Sequence, residues 1–216
     1  INKIIYSSTA AVYGNKIKNV NERDIIKPLT PYSSSKVLLE KYLEKNKKNL
    51  SCVILRYFNV AGADSKLRCG FDINRGKNLF LNLCHSVTKN KKFEINGKNH
   101  NTKDGTTVRD FIHVSDLSEI HYKLSKLIVK KKIFFKLNCG YGYGFSVLEI
   151  LYKFIDISKK KINYEFVKKR KGDIIVSISN SSKLKKVINW KPKYQSLNYL
   201  VQSSLNWYKK KAKQPN

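Results

Sequence analysis

Short apolar runs alternate with amphipathic segments along this chain of 216 residues. Residues 4–7 and 53–58 have the apolar content of buried strands, and a helical pattern lies between them. Thr30 is a favourable N-cap for this helix, Pro31 suits its first position, and residues 46–49 end it. This order predicts a right-handed β-α-β crossover that joins two parallel strands.

The rest of the chain predicts a long loop followed by a smaller α+β portion. Residues 62–77 contain three glycines and no periodicity, which is typical of a functional loop. Ser146 and Glu149 have the spacing of a capping box at the start of a helix. Helices are also expected at 78–89 and 117–130, short strands at 93–95, 110–114 and 134–138, and further elements at 162–167, 182–188 and 197–210. The alternation of strands and helices favours an α/β fold with a largely parallel sheet.

The first residues indicate that the sequence belongs to a longer protein. It starts with Ile1, contains no methionine and runs directly into an apolar strand. Because a domain seldom begins in the middle of a sheet, we expect the C-terminal part of a longer chain.

The chain is strongly basic, with 44 Lys and Arg against 15 Asp and Glu and a net charge of +29. Such a charge would release counterions from a phosphate backbone, so a basic nucleic-acid-binding protein is one alternative. However, only six of these residues are Arg, the residue that base reading and bidentate phosphate contacts favour. Lysine is spread along the chain as A/T-rich coding would produce, and no specific nucleic-acid partner is expected.

The lengths of the apolar runs and the spacing of the cysteines indicate in which compartment the protein works and whether it binds a metal. No apolar run approaches the ~18–20 residues that span a bilayer, so no membrane partner is expected. The four cysteines lack C-x-x-C spacing, which excludes a zinc ribbon and argues against a disulfide framework. A reduced, cytoplasmic location fits best. The histidines lack metal-ligand spacing, so no metal is expected, and we expect a structural role for His113.

Residues 32–36 (YSSSK) form the first candidate catalytic group. On a helix, Tyr32 and Lys36 share a face, and the ammonium favours the phenolate form that makes tyrosine a usable acid or base. The pattern gains weight from the hydroxyl triplet at residues 7–9, which follows a buried strand. Ligands bind at the carboxyl ends of strands in open α/β sheets, where Thr9 can hydrogen-bond the hydroxyl whose proton Tyr32 handles.

This strand, loop and helix resemble the extended short-chain dehydrogenase/reductase superfamily. Downstream motifs are similar to the UDP-glucose 4-epimerase family within it, and they occur in the family's order over essentially the whole chain. They are residues 56–63 (RYFNVAGA), 77–79 (KNL), 104–117 (DGTTVRDFIHVSDL), 138–149 (NCGYGYGFSVLE) and 170–173 (RKGD).

The resemblance implies an α/β fold made of the C-terminal part of a doubly wound, Rossmann-type parallel sheet and a smaller α+β portion. Residues 1–60 would form part of an NAD-binding domain, joined by the strand at 110–117, and residues 61–216 would bind a nucleotide sugar. The implied activity is the interconversion of UDP-glucose and UDP-galactose at C4 through a transient 4-keto sugar. The implied cofactor is tightly bound NAD, and the implied assembly is a cytoplasmic homodimer.

The resemblance also implies roles for individual residues. Thr9 would be the hydroxyl donor, Tyr32 the catalytic base and Lys36 the ligand of the nicotinamide ribose. These three residues, together with Phe58 in the nicotinamide pocket, would contact NAD. A UDP-sugar site would be formed by Asn59, Asn78, Leu79, Arg109, Arg170 and Asp173. Within it the two arginines would bind the diphosphate, and the carboxylate of Asp173 would bind the uridine ribose.

Two alternatives stay open beside this activity: another NAD-dependent nucleotide-sugar epimerase or dehydratase of the same superfamily, and an inactive fragment. A nucleotide-sugar 4,6-dehydratase needs an Asp-Glu pair directly after the threonine, where this chain has Ala10 and Ala11, which cannot transfer a proton. An inactive fragment is the other, because the family's glycine-rich turn for the cofactor pyrophosphate is missing. We therefore expect the isolated chain neither to retain NAD nor to turn over UDP-glucose.

The identity of the sugar also stays open among glucose and galactose, an N-acetylated sugar and a pentose. Asn96 stands where the family usually has an aromatic residue, and Ser177 stands where some members have a tyrosine or cysteine near the sugar.

Overall fold

The structure, a computed structural model, describes residues 1–15, 19–74, 78–170 and 172–213. A short 3-10 helix, Ala10–Tyr13, follows the first strand. In chain order the strands and the α-helices are β1 (Lys3–Thr9), α1 (Pro31–Lys45), β2 (Ser51–Tyr57), β3 (Asn59–Ala61), α2 (Leu79–Lys89), β4 (Phe93–Asn96), β5 (Val108–Arg109), β6 (Phe111–His113), α3 (Val114–Lys130), β7 (Phe134–Cys139), β8 (Phe145–Ser146), α4 (Val147–Ser158), β9 (Tyr164–Val167), β10 (Val176–Ser177), α5 (Ser182–Ile188) and α6 (Leu197–Ala212).

A three-stranded parallel sheet with the order β1-β2-β7 carries the first part of the fold. Successive side chains of a strand point to opposite faces, so each face can bury one helix. Ile120 and Leu124 of α3 pack with Leu55 on one face, while Leu43 of α1 packs with Ile54 on the other. The predicted α/β class, with the parallel crossover through α1, is confirmed.

The segment at 110–117 does not join this sheet, and that expectation is wrong. β6 pairs with β3 in a separate two-stranded sheet, and α3 begins at Val114. The reason is that β7 already occupies the free edge of β2 as far as its end, where the Phe58 N–H donates to the Cys139 carbonyl (3.1 Å). β6 therefore does not pair with β2 but meets the chain beyond that point, where the Asn59 N–H donates to the Asp110 carbonyl (3.0 Å).

A second core lies under the smaller α+β portion. Helices α2, α4 and α6 contribute Phe80, Phe154 and Leu200, which pack with Phe93 of β4. β4 pairs with β9, and β5 lies between β10 and β8. The predicted loop has no helix or strand over residues 62–74, and its last residues, 75–77, lie outside the described ranges, as does Lys171 of the RKGD motif. Within the described ranges, no helix combines the length and apolar content that a membrane span needs.

The start of α1 is held by the predicted N-cap. Thr30 Oγ1 accepts a hydrogen bond from the Ser33 N–H, and Ser33 Oγ accepts one from the Thr30 N–H, both at 3.1 Å. This reciprocal capping box satisfies two backbone donors, and Pro31 takes the first helical position. It therefore fixes the first turn, which carries Tyr32.

We expect Thr30→Ala to lower the free energy of unfolding by about 1 kcal/mol, because the side-chain acceptor of the cap is lost. Urea unfolding followed by circular dichroism measures the change. Thr30→Ser is the control, since it keeps the hydroxyl and should stay close to wild type. A serine variant as destabilised as the alanine variant would show that the methyl group, and not the cap, is responsible.

Candidate active site

The carboxyl end of β1 and the first two turns of α1 lie side by side. Lys36 Nζ donates a hydrogen bond to the Ser7 carbonyl oxygen at 2.9 Å. The same nitrogen lies 5.2 Å from the centre of the Tyr6 ring and 5.6 Å from that of Tyr32. Tyr32 is 57% exposed, so its phenol is open to a ligand. The structure thus brings Tyr32 and Lys36 to the end of β1.

Thr9 and Phe58, the other two residues expected near NAD, have different surroundings. Thr9 Oγ1 accepts a hydrogen bond from the Ala11 N–H at 3.2 Å and caps the 3-10 helix. As an acceptor in this bond, the hydroxyl keeps its own hydrogen to donate. Phe58 is buried in an apolar cluster with Val12 and Val37, which lies beneath α1.

A pocket of about 170 Å³ collects most of the predicted substrate-binding residues. Phe111 and Val147 give it apolar walls, and its polar side chains come from segments that are far apart in sequence. Five of the six predicted residues line it, namely Asn59, Leu79, Arg109, Arg170 and Asp173. The structure therefore brings together residues that the motifs singled out one by one.

Arg109 is partly buried and held in place by three acceptors. Its Nη1 donates to the carbonyl oxygens of Val108 (2.9 Å) and Ile175 (3.2 Å), and its Nη2 donates to Asp173 Oδ1 (2.8 Å). Burial lowers the pKa of Arg109, although the Asp173 carboxylate opposes this effect. These bonds use three of its five N–H groups and orient the planar fork at the pocket.

Arg170 and Asn78 differ from Arg109 in what their side chains contact. Arg170 is exposed, and its Nε donates to Asn96 Oδ1 at 3.0 Å. Asn96 also lines the pocket. Asn78 Oδ1 accepts from the Leu81 N–H at 2.8 Å and caps α2, and Asn78 is not among the described residues that line the pocket.

Three polar residues of the pocket were missed by the sequence analysis: Asn82, Glu94 and Thr107. The spacing of the predicted elements contained a signal for two of them. Asn82 lies three residues after Leu79 on α2, and therefore on the same face. Glu94 alternates with Asn96 on β4, which places both side chains on one face of that strand.

Two of the three aspartates of the 104–117 motif, Asp110 and Asp116, are structural. Asp110 is buried and accepts hydrogen bonds from the backbone N–H groups of Tyr141 and Gly142 and from Ser179 Oγ. Burial raises the pKa of Asp110, while these hydrogen bonds oppose the rise. Asp116 accepts a hydrogen bond from the Tyr141 hydroxyl at 2.6 Å. Together the two carboxylates hold the glycine-rich loop that precedes α4.

His113 has the structural environment expected from the sequence. It is fully buried, its Nδ1 accepts from the Ser115 N–H (3.1 Å), and its Nε2 lies 3.2 Å from Ser203 Oγ. The imidazole caps α3, which explains why this helix begins at Val114 and not at residue 117. Burial lowers the pKa of His113 to about 4. Among the described residues, no group of three or more His, Cys, Asp or Glu side chains could hold a metal ion.

Comparison with known proteins gives one family and a consistent set of relatives. Residues 1–140 match the NAD dependent epimerase/dehydratase family. A UDP-glucose 4-epimerase of Halalkalibacterium halodurans is 35% identical over 213 residues, which are 97% of this chain and 64% of that protein. One from Dictyostelium discoideum is 37% identical over 201 residues, 88% of this chain and 58% of that protein. The chain thus spans less than two thirds of these curated relatives.

Solved structures show the same relationship in three dimensions. A UDP-glucose 4-epimerase from Stenotrophomonas maltophila, with bound NAD and formylated UDP-arabinopyranose, superposes with a TM-score of 0.93 at 28% sequence identity. The matched region is 98% of this chain and 65% of that protein. One from Bifidobacterium longum, in complex with NAD⁺ and UDP, has a TM-score of 0.89 at 32% sequence identity, and the matched region is 98% of this chain and 65% of that protein.

The buried histidine predicts a pH dependence of stability. The pKa of His113 is about 4 in the folded chain and near its ordinary 6.5 when unfolded, so between these values only the unfolded chain is protonated. Stability is therefore fully present above pH 6.5 and falls as pH decreases towards 4, by about 3 kcal/mol from this group.

His113→Asn keeps a capping acceptor and removes the titration. We expect urea unfolding between pH 4 and pH 7 to show a flatter pH profile for this variant than for wild type. Identical slopes for the two proteins would assign the acid sensitivity to other groups.

Proposed function

The chain belongs to the NAD dependent epimerase/dehydratase family, and on this premise we propose that it forms part of an isomerase that interconverts UDP-glucose and UDP-galactose at C4. The observation that carries the proposal is the placement of Lys36 Nζ on the Ser7 carbonyl, with Tyr32 beside it, at the end of a parallel strand. The pocket that contains Asn59 and Arg109 supplies the second half of the site. The curated relatives and the solved structures, which are UDP-glucose 4-epimerases, support the same reaction.

In the proposed mechanism Tyr32 exchanges a proton with O4 of the sugar. Its phenolate accepts the O4 proton when the 4-keto sugar forms and returns it when the alcohol is restored. The ammonium of Lys36 stabilises the phenolate through its charge, and the Thr9 hydroxyl donates a hydrogen bond to O4. NAD, when bound, supplies the oxidation at C4 and the reduction that follows.

The residues at the end of β1 suit the nicotinamide ribose of this cofactor. An ammonium and a hydroxyl are the donors that ribose hydroxyls need, and both stand at the carboxyl edge of a parallel sheet. Lys36 would bind the ribose while it orients Tyr32, and Phe58 would border the nicotinamide from the apolar side.

The pocket would hold the UDP part of the substrate. Arg109 and Arg170 would bind the diphosphate, because guanidinium groups match pairs of phosphate oxygens. Asp173, which orients Arg109, would also accept a hydrogen bond from the uridine ribose. The remaining contacts to UDP would come from Asn59, Asn78 and Leu79.

The dehydratase alternative is disfavoured by the start of the 3-10 helix. Ala10 and Ala11 follow Thr9 directly, and their methyl groups have no proton to transfer. A dehydratase that follows the superfamily pattern would need two acidic side chains at these positions.

The larger organisation is also a proposal. Residues 1–60 would belong to the NAD-binding part, with β7 in the same sheet, and residues 61–216 would otherwise form the nucleotide-sugar part. The exposed apolar side chains of Leu38, Leu39 and Tyr42 on α1 support a homodimer formed through this helix. A cytoplasmic location agrees with the four free cysteines.

Tyr32→Phe tests the proton-transfer role. In a preparation that holds NAD, the variant should lose about 10²–10⁴-fold in turnover of UDP-galactose, because the general acid and base is gone. A coupled assay for UDP-glucose measures the rate. Tyr122→Phe on α3, which removes an exposed phenol elsewhere, is the control and should match wild type. Wild-type turnover of Tyr32→Phe would remove Tyr32 from this role.

Arg109→Lys tests the diphosphate site. A point charge replaces a fork that can bridge two phosphate oxygens, so binding should weaken by about 1–3 kcal/mol. Calorimetric titration with UDP should show at least a severalfold higher Kd. Arg68→Lys is the matched control, because Arg68 also pairs with an aspartate (Asp64, 2.7 Å) but does not line the pocket. Equal UDP affinity in all three proteins would leave Arg109 only its structural pairing with Asp173.

A further inference from the structure

A buried ion pair joins α1 to the central strand one turn beyond Lys36. Arg56 Nε donates to Glu40 Oε1 at 3.0 Å and Arg56 Nη2 donates to Glu40 Oε2 at 2.6 Å. The two side chains are 1% and 2% exposed. Ser8 Oγ donates a further hydrogen bond to Glu40 Oε1 at 2.5 Å. One carboxylate on α1 therefore binds side chains from both β1 and β2.

These strand residues belong to a row that crosses the whole sheet. Ser8 is paired in register with Arg56, and Arg56 is paired in register with Asn138 of β7. Tyr13 connects the last two, because its hydroxyl accepts from Arg56 Nη1 (2.8 Å) and donates to Asn138 Oδ1 (2.7 Å). Glu40 thus contacts the sheet through side chains whose relative positions are set by strand pairing.

The location of this row relates it to the candidate catalytic pair. Glu40 lies four residues after Lys36 and eight after Tyr32, on the same face of α1. Ser8 lies between Ser7, whose carbonyl accepts from Lys36, and Thr9, the expected hydroxyl donor. Any rotation or sliding of α1 that moved Lys36 from Ser7 would also pull the Glu40 carboxylate from Ser8 and Arg56.

The energetics of buried ion pairs favour a role beyond stability. Removing two charges from water costs about as much as their attraction returns, so well-packed apolar residues often stabilise a fold equally well. Apolar residues lack directional interactions. The three hydrogen bonds of Glu40 can form in only one position of the helix, whereas a hydrophobic contact is compatible with several positions. Burial alone would lower the pKa of Arg56, but hydrogen bonds to Glu40 raise it overall, and the guanidinium stays charged.

We propose that Glu40 and Arg56 are positioning residues that fix the rotation and the axial position of α1 on the sheet, and thereby hold Tyr32 and Lys36 at the end of β1. The proposal rests on the function proposed above, because it explains how two reacting groups on one helix keep their distance from groups on a strand. Neither residue contacts the reacting atoms. Their effect passes through the helix that both reacting side chains share.

The test follows the position of Lys36 directly in the full 216-residue chain. Reductive methylation with ¹³C-formaldehyde labels the lysines, and the Lys36 resonance is assigned by its loss in Lys36→Arg. The rings of Tyr6 and Tyr32, 5.2 and 5.6 Å from Nζ, should shift this resonance away from those of exposed lysines. The signal therefore reports whether α1 keeps its place against β1.

Two variants separate positioning from stability. Glu40→Gln keeps the shape of the side chain but leaves Arg56 charged and buried without its partner, which can unfold the chain. Glu40→Gln/Arg56→Met removes both charges, so it should unfold at a urea concentration close to that of wild type. In the double variant we expect the Lys36 resonance to move to the position of exposed lysines. Glu44→Gln, one turn further along α1 and half-exposed, is the matched control and should leave the resonance in place.

A folded double variant with an unchanged Lys36 resonance would overturn the proposal. A double variant that does not fold would also overturn it, because the pair would then serve stability alone. In an NAD-loaded preparation the double variant should lose kcat by about 10²-fold, as expected for a displacement of about 1 Å, and keep the KM for the UDP-sugar. An active wild type whose kcat survives the double substitution would likewise contradict positioning.

The function proposed above can fail separately. If an NAD-loaded wild-type preparation shows no epimerase activity while the Lys36 resonance still depends on Glu40 and Arg56, the assigned reaction is wrong and the role of the pair in placing α1 stands.

Discussion

Because β1 and β2 run parallel, the chain must cross from the carboxyl end of one strand to the amino end of the other, and α1 makes that crossing. The first turns of α1 therefore lie at the end of the sheet where β1 finishes. This topological requirement places Tyr32 and Lys36 beside residues 7–9. The capping box at Thr30 and the Glu40 carboxylate then restrict where the helix can lie at that end of the sheet.

The pocket that contains Arg109 depends on a second consequence of the same pairing. β7 covers the edge of β2 only as far as Cys139, so the chain beyond it, β3, is free to pair with β6. That second pairing carries Asn59 and the β5–β6 segment, with Arg109, into one region. Asp173 then links Arg109 to a segment more than 60 residues away in sequence. Side chains with no sequence proximity are assembled in this way by two successive strand pairs.

The parts of the fold that could be predicted from sequence have local signals. The limits of α1 follow from Thr30, Pro31 and the residues after 45, and the capping box of α4 follows from Ser146 and Glu149. The pairing of β6 had no such signal, because it depends on which strand already occupies the edge of β2. Glu40 was also missed, since a glutamate on a helix is typical of a solvated face and its partner Arg56 comes from another element. Of the residues that line the pocket, the motifs singled out Asn59, Leu79, Arg109, Arg170 and Asp173. Asn82 and Glu94 had only the spacing within their elements as a signal, and the contribution of Thr107 required the pocket itself.

The polar row Ser8, Arg56 and Asn138 also restricts how this sequence can change over evolutionary time. A neutral residue at position 40 leaves a buried cation at position 56, and a neutral residue at position 56 leaves a buried anion at position 40, so either single step is strongly disfavoured. Replacing both residues at once avoids that cost but gives up the directional contacts. These positions under α1 are therefore expected to drift slowly and to change together.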